Sequence, residues 1–205
     1  MTERAEMPQD RRLVSLDVAQ PIWDHFFLVA PLVVVGTREP DGGYDLAPKH
    51  MVLPLGWQNY VGFVCTPRHA THANILREGA FTMSWLAPGQ EILASLAAAP
   101  RAGMAKPQLG ALETFPAEGV DGVFVRSAYL FLECALDRTV DGFGENSLVV
   151  GRVTVARLDA AALRMLERDD NEVLRDAPLL AYLQPGRFAR IARSDGFPFP
   201  LDFCR

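Results

Sequence analysis

The chain has 205 residues, 49% of them hydrophobic and 22% charged, with a formal net charge of -5. That length and apolar content supply one sizeable core, exclude global disorder and predict a single domain over residues 1–205. Twenty basic residues against 25 acidic ones leave no general basic field, so no nucleic-acid partner is expected.

Residues 1–12 are polar and mixed in charge; they read as a flexible arm and lack the apolar stretch of a signal peptide. Leu13 to Leu16 reads as a short strand. Asp17 reads as the cap of a short helix running through Trp23 to Leu28, with Pro21 in its first turn and Pro31 ending it. The β-branched run at 32–37 predicts a buried strand, and Glu39-Pro40-Asp41-Gly42-Gly43 a hairpin turn. Residues 45–56 are extended but hold Pro48 and Pro54, which places them on a sheet edge or between strands. A strand follows at 59–65, then a helix from Ala70 to Glu78 stopped by Gly79, then a strand from Phe81 to Leu86. Residues 87–119 are less regular, a helical patch at Leu93 to Ala99 being broken by Pro100, Pro107 and Pro116. Long strands are predicted at 123–136 and 147–158 around a turn at 141–146. Asp159 opens a short helix carrying Leu163 and Leu166, and a Pro/Phe-rich tail follows Gly186-Arg187-Phe188-Ala189.

No regular βαβ alternation is present. The prediction is mainly β with short helices, a mostly antiparallel barrel. The longest apolar run, Phe26 to Gly36, contains Pro31 and falls far short of the roughly 20 residues needed to cross a bilayer, so no membrane association is expected. Cys65, Cys134 and Cys204 are too few and too scattered for a disulfide framework, which points to a reducing cytoplasm.

The segment from Cys65 to Ile75 carries the clearest chemistry. It joins a strand end to a helix N-terminus, whose free N–H groups and partial positive charge attract anions. Arg68 adds a forked cationic donor, and Thr66 and Thr71 add hydroxyls, so a phosphate pocket needs no glycine-rich loop here. Ordinary capping by Thr71 with a solvated Arg68 is the alternative.

Taken in order, the strand ending in Val35-Gly36-Thr37, the Asp41-Gly42 turn, Asp45-Leu46-Ala47-Pro48, Thr66-Pro67-Arg68, Thr71, Asn74-Ile75 and Gly79-Ala80-Phe81 resemble the flavin reductase-like, FMN-binding split-barrel family that includes the flavoredoxins. The match covers residues 31–85. Glu133-Cys134, Gly151-Arg152-Val153 and Arg187-Phe188-Ala189 echo it further along. The resemblance implies a split β-barrel that forms a homodimer and binds FMN near the subunit interface. It implies hydride transfer from NAD(P)H to flavin N5, with a flavin or another electron acceptor downstream. It places Asp45, Leu46, Ala47 and Pro48 along the isoalloxazine and Arg68, Thr71 and Asn74 at the phosphate and ribityl chain, with Thr37, Cys65 and Thr66 beside them.

Three departures shape the expectations. Asp45 stands where the family usually has Asn, and must turn away from an anionic flavin or pair with Lys49. Lys49 and His50 replace small polar residues and are candidates for tuning the flavin by charge, the pairing of Lys49 with Asp45 being the alternative. The late turn, Gly142-Phe143-Gly144-Glu145-Asn146, has no His where many relatives carry one for the nicotinamide. A flavoredoxin-type electron carrier without a nicotinamide site is therefore one rival, and a split-barrel protein binding a non-flavin ligand such as haem another.

Other groupings read as structural. His69 and His72, with Cys65 and His50, have weak metal-ligand spacing, and no metal is expected. His25 reads as a packed core or interface residue and Cys134 as core. Glu167, Asp169, Asp170 and Glu172 read as a solvated helix end, and Trp23, Trp57 and Trp85 as core, dimer seam or flavin rim.

Overall fold

The computed structural model describes residues 12–98 and 106–198. Its strands are β1 (Leu28–Pro31), β2 (Val33–Arg38), β3 (Tyr44–Lys49), β4 (Val52–Pro54), β5 (Tyr60–Cys65), β6 (Ala80–Leu86), β7 (Thr114–Pro116), β8 (Val123–Val125), β9 (Ala128–Phe143), β10 (Asn146–Leu158), β11 (Leu179–Gln184) and β12 (Arg187–Ile191). Three helices interrupt them, α1 (Ala70–Glu78), α2 (Glu91–Ala97) and α3 (Asp170–Asp176).

Seven strands form one curled antiparallel sheet in the order β3-β2-β6-β9-β10-β5-β4. The β-branched run at β2 fills both faces of it, because successive side chains of a strand point to opposite sides. Val33 and Val35 join Val61, Phe63, Phe81, Met83 and Cys134 on one side. Leu32 and Val34 join Leu46, Leu86, Val123 and Leu180 on the other. Pro48 and Pro54 lie in β3 and β4, the two edges, where a missing N–H breaks no ladder. A small sheet, β1-β11-β12, and the pair β7-β8 complete the mainly β architecture expected from the sequence.

Helix α1 spans the predicted residues and stops at Gly79, whose φ of 66° is left-handed. Its buried residues Thr71, His72, Asn74 and Ile75 seat it against β2, β3 and β6. Glu133 is wholly buried in β9, where its carboxylate accepts the N–H groups of Glu118 (3.0 Å) and Gly119 (2.6 Å). Arg157 stands 3.7 Å away. Cys134 beside it is core, as expected; burial first, and that carboxylate second, push its thiol up to about 12.

Several sequence expectations are corrected. Leu13–Leu16 is not a strand and Asp17–Leu28 is not a helix: Asp17 merely accepts the N–H of Ala19, and Leu28 opens β1 opposite Gln184. Residues 12–21 are all exposed, so neither a core nor a sheet edge rewards regular structure there. His25 is exposed rather than packed in the core. The strand expected at 123–136 is divided into β8 and β9, and β9 runs on to Phe143 because the reversal falls at Gly144, with φ 63°. Asp159 caps only a 3-10 turn at Ala160–Ala162, and Leu166 is fully exposed. Asp169 caps α3 through the N–H of Asn171, and the exposed Arg164 guanidinium beside Asp170 lowers that carboxyl, so the acidic run is a solvated helix start. The arm at 1–11, Pro100, Cys204 and the end of the tail lie outside the described residues.

Candidate functional site

The edge position of β3 leaves room beside it, and α1 closes that room with its N-terminus. The chain leaves β5 at Cys65 and turns back at Thr66, His69 donating its N–H to the Thr66 carbonyl at 2.9 Å. His69 is the N-cap residue, in extended conformation and with no side-chain cap bond. A helix start without a side-chain cap keeps its partial positive charge available to a ligand. The resulting cleft of about 490 Å³ is lined by Asp45, Ala47, Pro48 and Lys49 of β3, by Arg68, His69, Ala70 and Thr71, and by Ala97, Ala98 and Lys106.

Six of the residues predicted for a cofactor thus meet in one place: Asp45, Ala47, Pro48, Lys49, Arg68 and Thr71. Thr71 does not cap the helix. Its hydroxyl donates to Asp45 Oδ2 at 3.1 Å, and both residues are 2% exposed. Asp45 does not pair with Lys49 either. Lys106 Nζ stands 2.7 Å from Asp45 Oδ1, while Lys49 Nζ turns to Cys65 Sγ at 3.5 Å. Among the described residues Lys49 has no carboxylate partner, which leaves its charge available to a ligand.

The other predicted residues support the cleft from outside it. Asn74 Nδ2 donates to Thr37 Oγ1 at 3.1 Å, and Arg77 Nη1 donates to Asn74 Oδ1 at 2.9 Å, all beneath α1. Leu46 is core. Thr66 Oγ1 donates to Asn146 Oδ1 at 2.9 Å, tying the helix start to the β9–β10 turn. Arg68 reaches the same turn, 2.5 Å from Glu145 Oε2, with both side chains about three-quarters exposed. Cys65 is buried behind Lys49, and burial raises its thiol above the ordinary value, so it reads as inert rather than reactive. His50 lies apart, its ring 4.8 Å from that of Tyr182, and burial lowers its pKa. His69 and His72 face different clefts, His72 lining a shallow one with Asp141 and Asn146. Trp57 and Trp85 line a separate groove with Leu130, Leu132 and Val153.

Lys106 is the site residue that sequence reasoning missed. A signal existed: Lys49 and Lys106 are the only lysines in the chain, every other side-chain cation being Arg or His, and both stand in this cleft.

His69 records the field. Burial lowers its pKa first, followed by the charges of Lys49, Arg68 and Lys106. Because folding depresses the value, the stability His69 contributes is present above the unfolded value of about 6.5 and is lost as the pH falls through the folded one. An anion entering the cleft offsets the three cations. Titration of the His69 ring signals by NMR should therefore move upward in saturating phosphate or FMN, with proton uptake on binding. An unchanged midpoint would show that the cleft binds no anion beside His69.

A mostly antiparallel architecture built on one curled seven-stranded sheet with short helices is the split-barrel class. The chain belongs to the flavin reductase like family, whose domain it matches over residues 26–189. Similar solved structures include a Shewanella frigidimarina protein named for a flavin reductase with a split barrel domain (TM-score 0.72, 17% identity, 84% of this chain and 87% of that one). They also include an FMN-binding protein from Thermus thermophilus with bound p-hydroxybenzaldehyde (0.72, 21%, 92% and 100%) and the flavoredoxin of Methanosarcina acetivorans (0.72, 18%, 94% and 97%). Comparison with curated protein sequences gives no match. At these identities the likeness establishes the fold.

Proposed function

We propose that the chain is an FMN-binding oxidoreductase that reduces flavin with NAD(P)H. The observation that carries this reading is the β3-edge cleft, where Lys49, which has no carboxylate partner among the described residues, the start of α1 and Arg68 surround space of about 490 Å³. That volume suits a small-molecule ligand. A terminal phosphomonoester, doubly charged near neutral pH, fits this donor set, which favours FMN. When bound, the flavin supplies the hydride acceptor, N5.

The chain's own residues bind and orient. Lys49, Arg68 and the first amides of α1 hold the phosphate end, with Thr66 tying the helix start to the β9–β10 turn. Asp45 to Pro48 form the wall, with Thr71, and Thr37 with Asn74, fixing it from behind. The tuning of flavin charge falls to Lys49, since His50 stands outside the cleft. No general acid or base is needed for hydride transfer; position and exclusion of water do the work.

The chain is read as a homodimer, supported by exposed Trp23, Phe26, Phe27 and Val29 and by the groove under Trp57, which together make more apolar surface than a monomer carries comfortably. No helix among the described residues is long and apolar enough to cross a membrane, and Cys65 and Cys134 are free; a cytoplasmic location accords with the latter.

A flavoredoxin-type carrier is the second reading, favoured by the β9–β10 turn, which holds no His and is bridged to the helix start by Arg68 and Glu145. Purified protein should turn yellow with FMN, and should oxidise NADH or NADPH in steady state with added flavin. Colour without turnover selects the carrier. Protein that stays colourless after incubation with FMN sinks both. A sizing column run on the same sample reads the assembly.

A further inference from the structure

Two bonds of one forked side chain tie the last turn of α1 to β2. Arg77 donates from Nη1 to Asn74 Oδ1 at 2.9 Å and from Nη2 to the carbonyl of Arg38, the last residue of β2. Asn74 passes the link on: its Nδ2 donates to Thr37 Oγ1, also in β2, at 3.1 Å. Asn74 is 2% exposed and Thr37 1%. Both ends of the Asn74 amide are thus engaged inside the protein, and the side chain does not line the cleft.

The helix has two other attachments. In its first turn Thr71 donates to Asp45 of β3, and beyond its end the Gly79 carbonyl accepts the N–H of Leu136 of β9 at 2.8 Å. A body fixed at two points can still roll about the line between them, and a third point off that line stops it. Buried Ile75 resists the roll only by apolar packing, which has no direction of its own. The third directional attachment is the link through Arg77 and Asn74 to β2.

From this geometry we infer that Arg77 is a positioning residue: through Asn74 and Thr37 it stops α1 from rolling and so aims the first N–H groups of the helix into the cleft. The inference rests on the flavin reading and deepens it. It gives Asn74 a place in the clamp rather than at the phosphate and ribityl chain, where the resemblance sets it. Donors held in one direction bind an anion without first being ordered, and a rolling helix loses that advantage.

Arg77→Met should weaken FMN binding by roughly three- to tenfold and riboflavin by less than about twofold, because the roll moves the amides that meet the phosphate. Arg77→Lys keeps the charge but not the fork, and should lose nearly as much. Asn74→Leu removes the link to Thr37 and should lose a comparable factor. Asn74→Asp should lose clearly less than Asn74→Leu, since its carboxylate accepts from Arg77 and the Thr37 hydroxyl turns to donate to it. Binding is read by quenching of flavin fluorescence well below the melting temperature, which is recorded for each variant. In the ligand-free protein, the amide NMR signals of Ala70 and Thr71 should shift in Arg77→Met, about two helical turns from the change.

Arg77→Lys with wild-type affinity overturns the inference, since the charge alone would then act. So does an Asn74→Asp protein that loses more than Asn74→Leu and for FMN alone, which would make Asn74 a direct ligand. Equal losses for FMN and riboflavin also overturn it, as the clamp would then serve the fold and not the helix start. If Arg77→Met or Asn74→Leu fails to fold, Arg77→Lys and Asn74→Asp decide by the same criteria. Unmoved amides at Ala70 and Thr71 overturn it whether or not flavin binds. Wild-type protein that binds no FMN overturns the function reading together with this inference, whereas wild-type binding with unaffected variants overturns the inference alone.

Discussion

Replacing Gly151 by Ala should destabilise the fold by about 3 kcal/mol, the upper range for overpacking a closed core. Gly151 is buried in β10, where the pairing with β9 shifts register, and it lies opposite Val61 of β5. A Cβ there would stand 2.4 Å from Phe81 Cζ, 2.9 Å from Cε1 and 3.2 Å from Cys134 Cβ. The Phe81 ring reaches this spot from β6, across the intervening β9, so the glycine is what lets one ring fill this side of the sheet. It cannot retreat, because Phe63 packs edge-on against it at 5.5 Å and both rings are fully buried. Urea unfolding of Gly151→Ala measures the cost. Combining it with Phe81→Leu should be less destabilising than the sum of the two single changes, since the clash disappears with the ring. Gly110, around which a Cβ meets nothing within 4 Å, is the control, and Ala there should change stability by no more than about 0.5 kcal/mol. Equal losses at the two glycines would remove the steric account.

What the sequence made legible was local. β2 announced itself by four consecutive apolar residues, Leu32 to Val35, because a strand covered on both faces has no polar side to alternate with. The span of α1 followed from Gly79, and the edge positions of β3 and β4 from one proline each. The segment from 13 to 28 failed by the same logic. Asp17 and Pro21 are adequate start signals for a helix, but a helix of that length is stable only when an apolar face is packed, and Trp23, Phe26 and Phe27 are exposed.

At the site, residue types within 65–75 located the cleft, while the partners of its charges were not legible. Leu46 and Lys106 are 60 residues apart in sequence, and no local pattern brings them together. The reading from sequence left open whether Asp45 turns away or pairs with Lys49, four residues away; the fold sets Lys106 beside Asp45 and turns Lys49 toward Cys65.

If the cleft holds the phosphate as proposed, that exchange makes Lys49 rather than Arg68 its main partner. Arg68 already meets Glu145, in a pair about three-quarters exposed on both sides, and such pairs contribute little and dissolve easily. Among the described residues Lys49 has only the Cys65 thiol at 3.5 Å, a neutral partner whose pKa burial holds up. A charge flanked by a neutral group in a partly dry cleft gains most when a dianion arrives. Lys49→Met should therefore weaken FMN by roughly 10- to 100-fold, as expected for loss of a hydrogen bond to a charged group, and riboflavin by less than about threefold. Arg68→Ala should cost FMN only about threefold, and less still in high salt, because the exposed charge is screened. The same Lys49→Met protein carries an internal check: removing the ammonium takes away a charge that lowers the Cys65 pKa, so alkylation of Cys65 should become slower still, in a Cys204→Ser background. If Arg68→Ala proved the costlier change, the guanidinium would have to leave Glu145 on binding and the phosphate would lie at the β9–β10 turn; if neither change distinguished FMN from riboflavin, the cleft would not hold a phosphate.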